Sequence, residues 1–420
     1  MQEDFLSYIW KFRKFDFLNA RTSDGRVLEI INPGMENVDS GPDFFSAQLR
    51  IGEQLWAGNV EIHIKSSDWY FHGHETDPAY DNVILHVVWE DDAEIFRRDN
   101  SVIPSISLKS YTPAKTFKNF QHLLEVPHLQ LNCEEDLSTI TALAKEHWLE
   151  SLYFERLESK SEAIFKLLEK TGNDWEEVLF QSLSRSFGLK VNAEAFESIA
   201  RSIEFKIFRK IKDQQSKEAI LLGQAQLFSG EDKYAKELEE IYEFLKMKYS
   251  LKPSEILPKF FRLRPDNFPT LRLTQLAAVY SEKPGLFNAL TNCQNLFDFY
   301  ELFKTGPSEY WKTHYNFGTQ HPPRNKKLSK SFINLLLINC VIPILYCYYK
   351  YLGEDRNDFL FDLISAIPAE ENSVVSIFKK LNSSMGKNAM QSQALLQLKN
   401  NYCDQNRCLK CEWGAQILQK

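Results

Sequence analysis

Several signatures of a familiar mechanism are missing from this chain. There is no G-x4-G-K-[ST] run, so ATP hydrolysis on a P-loop is not expected. No G-x-G-x-x-G follows a strand, and no Ser nucleophile elbow is present. The seven cysteines are odd in number and lack paired spacing, which argues against an extracellular disulfide framework. The opening MQEDFLSYIWKF lacks the basic start, apolar core and small-residue cleavage site of a secretory signal. A cytoplasmic location is therefore the expectation. No repeat of fixed period and no low-complexity tract is found. Positive charge is also in short supply. The net charge is −7, and residues 1–130 carry 12 Lys and Arg against 20 Asp and Glu. A nucleic-acid partner would need local basic patches, because no global field attracts it.

One apolar run approaches bilayer length, Phe332 to Tyr349 (FINLLLINCVIPILYCYY). Asn334, Asn339 and Pro343 interrupt it, so the expectation is a buried core helix kinked or ended at Pro343, with no membrane partner.

The chain has material for ample cores, with 31 Phe, 17 Tyr and 8 Trp. At 420 residues it is long enough for two or three domains. Apolar positions Phe5, Ile9, Trp10 and Phe12 predict a short leading helix. From Arg26 to Tyr111 the pattern is of strands: VLEIINPG ends in a Pro-Gly turn, and Phe45–Ile51 and Leu55–Ile64 form a hairpin through Gly52, with Gly58 a candidate bulge. NVILHVVW at 82–89 reads as a strand covered on both faces, and Ile103–Leu108 as one more. Helical spacing then takes over, first at 139–170 and 175–187. It continues through 193–212, 216–228, 234–246, 270–280, 284–291 and 294–304 to 328–353, 355–367, 371–382 and 386–400. The predicted class is α+β, with a small mixed-sheet domain at 1–125 and a large all-α domain at 140–420.

The block that points most directly at chemistry is Gly41-Pro42-Asp43-Phe44, followed by Gly58-Asn59-Val60-Glu61-Ile62-His63-Ile64-Lys65. Strand alternation sends Val60, Ile62 and Ile64 to one face and Glu61, His63 and Lys65 to the other. Asp43 and Glu61, on adjacent strands, can hold a hard divalent ion such as Mg²⁺ or Mn²⁺. Such an ion lowers the pKa of a bound water and stabilises charge on a phosphate. His63 or Lys65 is placed to assist that water as a base. Close by, SSDWYFHGH carries His72 and His74, followed by Asp77 and His86, so four of the nine His fall between 63 and 86. His72 and His74 are expected within the site or in contact with substrate, and His-x-His beside Asp can also bind zinc or a transition metal.

These residues resemble the PD-(D/E)XK nuclease superfamily. Pro42-Asp43 matches the first half of its motif and Glu61-Ile62-His63 the second, with His63 where Lys is usual. Lys65, on the same face, is the candidate to take over the Lys role. The resemblance implies a restriction-endonuclease-like fold for the sheet domain, and Glu3 on the leading helix as a further carboxylate. The whole chain also resembles an uncharacterised bacterial family of unknown function. That likeness rests on NPG at 32–34, SGPDF at 40–44, GNVEIHIKSSDWYFHGHETDPAYDNVILHVVW, LLGQAQLF at 221–228, RLRPDNFPTLRLTQLA at 262–277 and the C-terminal cysteines.

Cys403, Cys408 and Cys411 form C-x4-C-x2-C, a spacing suited to a structural Zn²⁺ or an iron–sulfur cluster if a fourth ligand joins them. Cys133, Cys293, Cys340 or a His is available. By analogy with PD-(D/E)XK nucleases that staple their C-terminus with one early and three late cysteines, Cys133 is the natural choice. Two basic segments rich in aromatics, 261–272 and 311–330, are candidates for phosphate contact, against the plainer reading as solvated faces or loops. Two functions are weighed. One is a metal-dependent phosphodiesterase acting on DNA or RNA. The other is a non-catalytic nucleic-acid-binding or scaffold protein on a degenerate nuclease-like fold, with protein partners unspecified.

Overall fold

The computed structural model describes residues 3–37, 39–124 and 130–418. It is α+β, as the periodicities predict, and it divides into two compact units. The first comprises Met1–Trp148 together with Leu398–Lys420, and the second Leu149–Gln397. The C-terminal segment therefore does not belong with the helical body, as the expected 140–420 boundary has it. The reason lies in its apolar face. Trp413, Ile417 and Leu418 of the helix Glu412–Leu418 are buried, Asn119 donates to the Ile417 carbonyl at 3.1 Å, and Tyr8 donates to that of Ala415 at 3.4 Å.

The first unit is built on a six-stranded sheet of order β1-β3-β4-β5-β6, with β2 pairing off that path with β3. The strands are β1 (Leu28–Asn32), β2 (Met35–Glu36), β3 (Phe44–Ile51), β4 (Gln54–Lys65), β5 (Val83–Glu90) and β6 (Ser105–Ser107). β3 and β4 form the expected antiparallel hairpin, whereas β4–β5 and β5–β6 are parallel. A parallel step requires a crossover. Here residues 66–82 supply it, with only α2 (Asp68–Phe71) and a 3-10 turn, Pro78–Tyr80, as regular structure.

α1 (Glu3–Lys11) and α3 (Ala114–Leu124) cover one side of the sheet. Phe5 stacks on Phe120 at 4.2 Å and meets Trp89 of β5 edge-on at 6.3 Å. Trp69 of α2 is fully buried on the crossover side, where it gathers Tyr80, Val83, Ile95 and Ile103 around it. β4 thus has cover on both faces near its end, and Val60 through His63 are all buried. Gly58 is needed for close approach, since a Cβ there would stand 2.4 Å from Ile84 Cγ2 and 2.6 Å from the Asn82 carbonyl. The bulge lies opposite, on β3, where Ser46 adopts a φ of +56° and the register shifts between Phe44 and Ala47.

The second unit is helical. Asp174 caps Trp175–Phe187 by accepting from the amides of Glu176 and Glu177, as the Thr-Gly-Asn-Asp punctuation implies. The span expected as one helix at 193–212 is two, Leu189–Arg201 and Phe205–Lys210. The apolar run forms the core helix expected of it, Lys330–Leu352, the one helix among the described residues long and apolar enough to span a bilayer; 67% of that apolar window is buried. Pro343 does not end it. Five residues before Ile342, Leu337–Val341, widen into a π turn that accommodates the missing N–H.

Segments of this unit singled out in the sequence make internal structural contacts. Gln224 of LLGQ donates to Ser202 and to the Lys252 carbonyl, and accepts from Tyr242 at 2.9 Å. Gly223 admits the Tyr242 ring where a Cβ would stand 2.2 Å away. In the two basic segments, Arg272 is spent on Asn267, Gln275 and the Phe332 ring. Lys326 donates to the His314 carbonyl and sits over Tyr315. Those two cations face the interior, not a phosphate.

Candidate metal centre

The site is assembled from the start of β3, the end of β4, the middle of β5 and the crossover. Asp43 and Glu61 brace each other through the backbone. Glu61 Oε2 accepts the Asp43 amide at 3.1 Å, and Asp43 Oδ2 accepts the Ile62 amide at 2.9 Å. The parallel register sets Glu61 beside His86. Alternation places His63 on the same face, with Nδ1 2.8 Å from His86 Nε2. The other ring nitrogen of His63 lies 3.1 Å from His72 Nδ1 and 3.5 Å from Glu61 Oε1. His74 Nε2 stands 3.4 Å from that same oxygen.

His63, His72 and His74 each offer a ligand atom, and these atoms all lie within 4.8 Å of one another. The cluster is graded from buried His63 through half-buried His74 to exposed His72. One side therefore opens to solvent while the other is sealed by Trp69, whose ring meets His74 and His86 edge-on. Phe71, 86% exposed, stands beside His72 at the open side.

Burial dominates the electrostatics. It pushes the Asp43 carboxyl up to about 7, with Glu61 and Glu3 adding to the rise and the Ile62 amide opposing it. Burial likewise holds His63 down to about 3, helped by the neighbouring His74 and His72, and His86 lies well below the usual imidazole range for the same reason. Both rings are neutral at physiological pH, the state in which imidazole binds metals. Burial also raises Glu3, whose surroundings include His72, Asp68, Glu61 and the Ile64 amide, so the leading-helix carboxylate does reach the edge of the site.

Asp43, Glu61, His63, His72 and His74 are thus brought together. Lys65 is not among them. It is exposed at the end of β4, paired across to Glu90, and its charge acts on Asp92. Period-2 alternation puts it on the right face, but two residues further along, where the chain turns away. Tyr80 went unnoticed in the sequence. It stacks on His74 at 3.7 Å, and burial followed by the Glu61 charge lifts its hydroxyl to about 12. The signal was Asp77-Pro78, a cap and first position for the turn that delivers it.

The donor set of three imidazoles and two carboxylates fits a divalent transition ion. Imidazole suits Zn, Fe, Cu and Ni, while an all-oxygen site would suit Mg²⁺ better.

The comparisons with known proteins reach the family level. The family described as "Protein of unknown function (DUF2851)" matches residues 3–373. The chain belongs to that family. The match takes in every residue of the histidine site and stops before Cys403. No curated protein and no solved structure matches.

Proposed function

We propose that this DUF2851 protein is a metal-dependent hydrolase, a phosphodiesterase acting on DNA or RNA. The observation that carries the reading is the convergence of His63, His72 and His74 within 4.8 Å, with Glu61 Oε1 3.4–3.5 Å from two of them. Glu61, His63 and His74 hold the ion, and His72 joins from the exposed side. Asp43 fixes Glu61 through its amide and supplies a second carboxylate. The ion, when bound, generates a nucleophile from water and offsets negative charge on a phosphate. The three imidazoles favour a divalent transition ion such as Zn²⁺ or Fe²⁺, and the two carboxylates also admit Mn²⁺. A leading helix, an antiparallel hairpin carrying Asp43 and Glu61, and a parallel crossover to β5 support the nuclease-like reading of the sheet unit.

A second reading, a nucleic-acid-binding or scaffold protein without turnover, draws on one feature. The motif's Lys position holds His63, which is committed to His86 and His72, and Lys65 stands outside. Cleavage assays decide between the two readings. Purified chain is incubated with single- and double-stranded DNA and RNA in Mn²⁺ or Mg²⁺, beside Glu61→Gln and His74→Ala. Cutting by the wild type that both folded variants lose supports the enzyme. Metal binding without any cutting supports the scaffold.

A further inference from the structure

The first unit contains a second cluster of metal-ligating side chains, separate from the histidines. Cys133, Cys403, Cys408 and Cys411 line one small cavity with Leu398 and Trp413. They come from two segments about 270 positions apart in sequence. Cys411 bears electrostatically on the other three thiols, and Cys133 and Cys408 both bear on Cys403, so the four are close neighbours around that cavity. Burial, then the neighbouring thiols, pushes Cys133 up to about 12 and Cys408 to about 11 and raises Cys403, while burial alone leads the rise of Cys411. Four thiols lining one apolar cavity have no reason to be charged by themselves.

Their surroundings are nevertheless arranged for thiolates. Asn132 Nδ2 points at Cys408 Sγ from 3.6 Å. The amides of Trp413 and Gly414 are directed at Cys411. The buried Trp148 indole N–H is also directed at Cys411. Donors aimed at sulfur are the outer support that a metal-bound thiolate carries. The backbone conforms to the same purpose. A π turn, Lys399–Cys403, presents Cys403, and a 3-10 turn, Cys408–Lys410, spaces the last two cysteines. Gly414 lets the chain fold onto the Cys408 carbonyl, which would lie 2.0 Å from an added Cβ. Cys293, Cys340 and Cys347 lie in the other unit and take no part.

We propose that Cys133, Cys403, Cys408 and Cys411 form a four-thiolate metal centre, a structural clasp that fastens the C-terminal segment to residues 131–136. All four ligands come from the chain, so no position remains for substrate. The ligand chemistry serves a single Zn²⁺ or an iron–sulfur cluster alike, and metal analysis separates the two. Full-length protein purified under argon is expected to carry either about one zinc per chain, or iron with acid-labile sulfide and a brown chromophore. Co²⁺ added to the metal-stripped chain should give intense sulfur-to-cobalt charge-transfer absorption. That band should disappear in Cys133→Ser and Cys408→Ser and persist in His63→Ala. Limited proteolysis of the two Cys variants should release the segment after Leu398 first. Wild-type protein that holds neither metal, with all four thiols free to titrate and no cobalt band, overturns the proposal whether or not any variant folds. A cobalt band unchanged in Cys133→Ser also overturns it.

Discussion

Asp43 and Glu61 are bound reciprocally, each carboxylate accepting a backbone amide from the other's strand, at 2.9 and 3.1 Å. The two acids are therefore locked in place before any cation arrives, and their mutual repulsion is a cost that a bound divalent ion offsets. Replacing either by its amide keeps the shape and removes the charge. Asp43→Asn and Glu61→Gln should fold and melt at or above the wild-type temperature, yet lose metal-dependent hydrolysis by roughly two orders of magnitude or more. Thermal melts and cleavage rates measured together check this.

His86 is expected to act as a positioning residue. Its Nε2 stands 2.8 Å from His63 Nδ1 and fixes which His63 nitrogen is left to face the cluster. His86→Phe should weaken divalent-ion affinity by about 10–100-fold while His72 and His74 stay in place. A metal titration monitored by imidazole NMR signals reports both effects.

Lys65 offers a control. It is exposed and outside the histidine cluster, so Lys65→Ala should change stability by no more than about 0.5 kcal/mol and leave cleavage intact. A large loss of activity in this variant would restore the lysine to the catalytic role that strand alternation suggests.

Trp69 carries the floor of the site. It is fully buried, and its indole donates to the Phe96 carbonyl at 3.2 Å. Trp69→Ala should cost about 3–5 kcal/mol in denaturant unfolding and loosen His74 and His86 together.

A pH effect unrelated to the metal site is expected in the helical unit. Burial raises Glu176 to about 7, against its hydrogen bond from the Phe287 amide at 3.0 Å. A carboxyl whose folded pKa is raised contributes its full stability below about pH 4.5 and loses it as pH climbs through about 7. Glu176→Gln should flatten that part of the stability–pH curve, with the largest relative gain at pH 8. Melting temperatures of both proteins from pH 4 to 8 give the comparison.

How much was legible in the sequence depends on the range of the interaction. The period-2 run of Val60, Ile62 and Ile64 announced β4, and with it the common face of Glu61 and His63. The Thr-Gly-Asn-Asp cap at 171–174 marked its helix start to the residue. Alternation says nothing about where a strand ends, so it does not separate exposed Lys65 from the clustered Glu61 and His63. His72 and His74 lie in a crossover whose path is set by Trp69 and by Ser67 bonding to Asp92, tertiary contacts that leave no periodic trace. The return of Leu398–Lys420 to the sheet unit is likewise long-range. Arg272 and Lys326 show the limit of composition, since a basic, aromatic segment serves a core as readily as a phosphate.

The central claim is that His63, His72, His74 and Glu61 bind one divalent ion. Calorimetric titration of the full chain with Mn²⁺, an ion poorly suited to thiolates, tests it most directly. One ion per chain is expected, with binding abolished in the double variant His72→Ala/His74→Ala and preserved in Cys408→Ser. Absence of binding to the wild type, or undiminished binding to the double histidine variant, would contradict it.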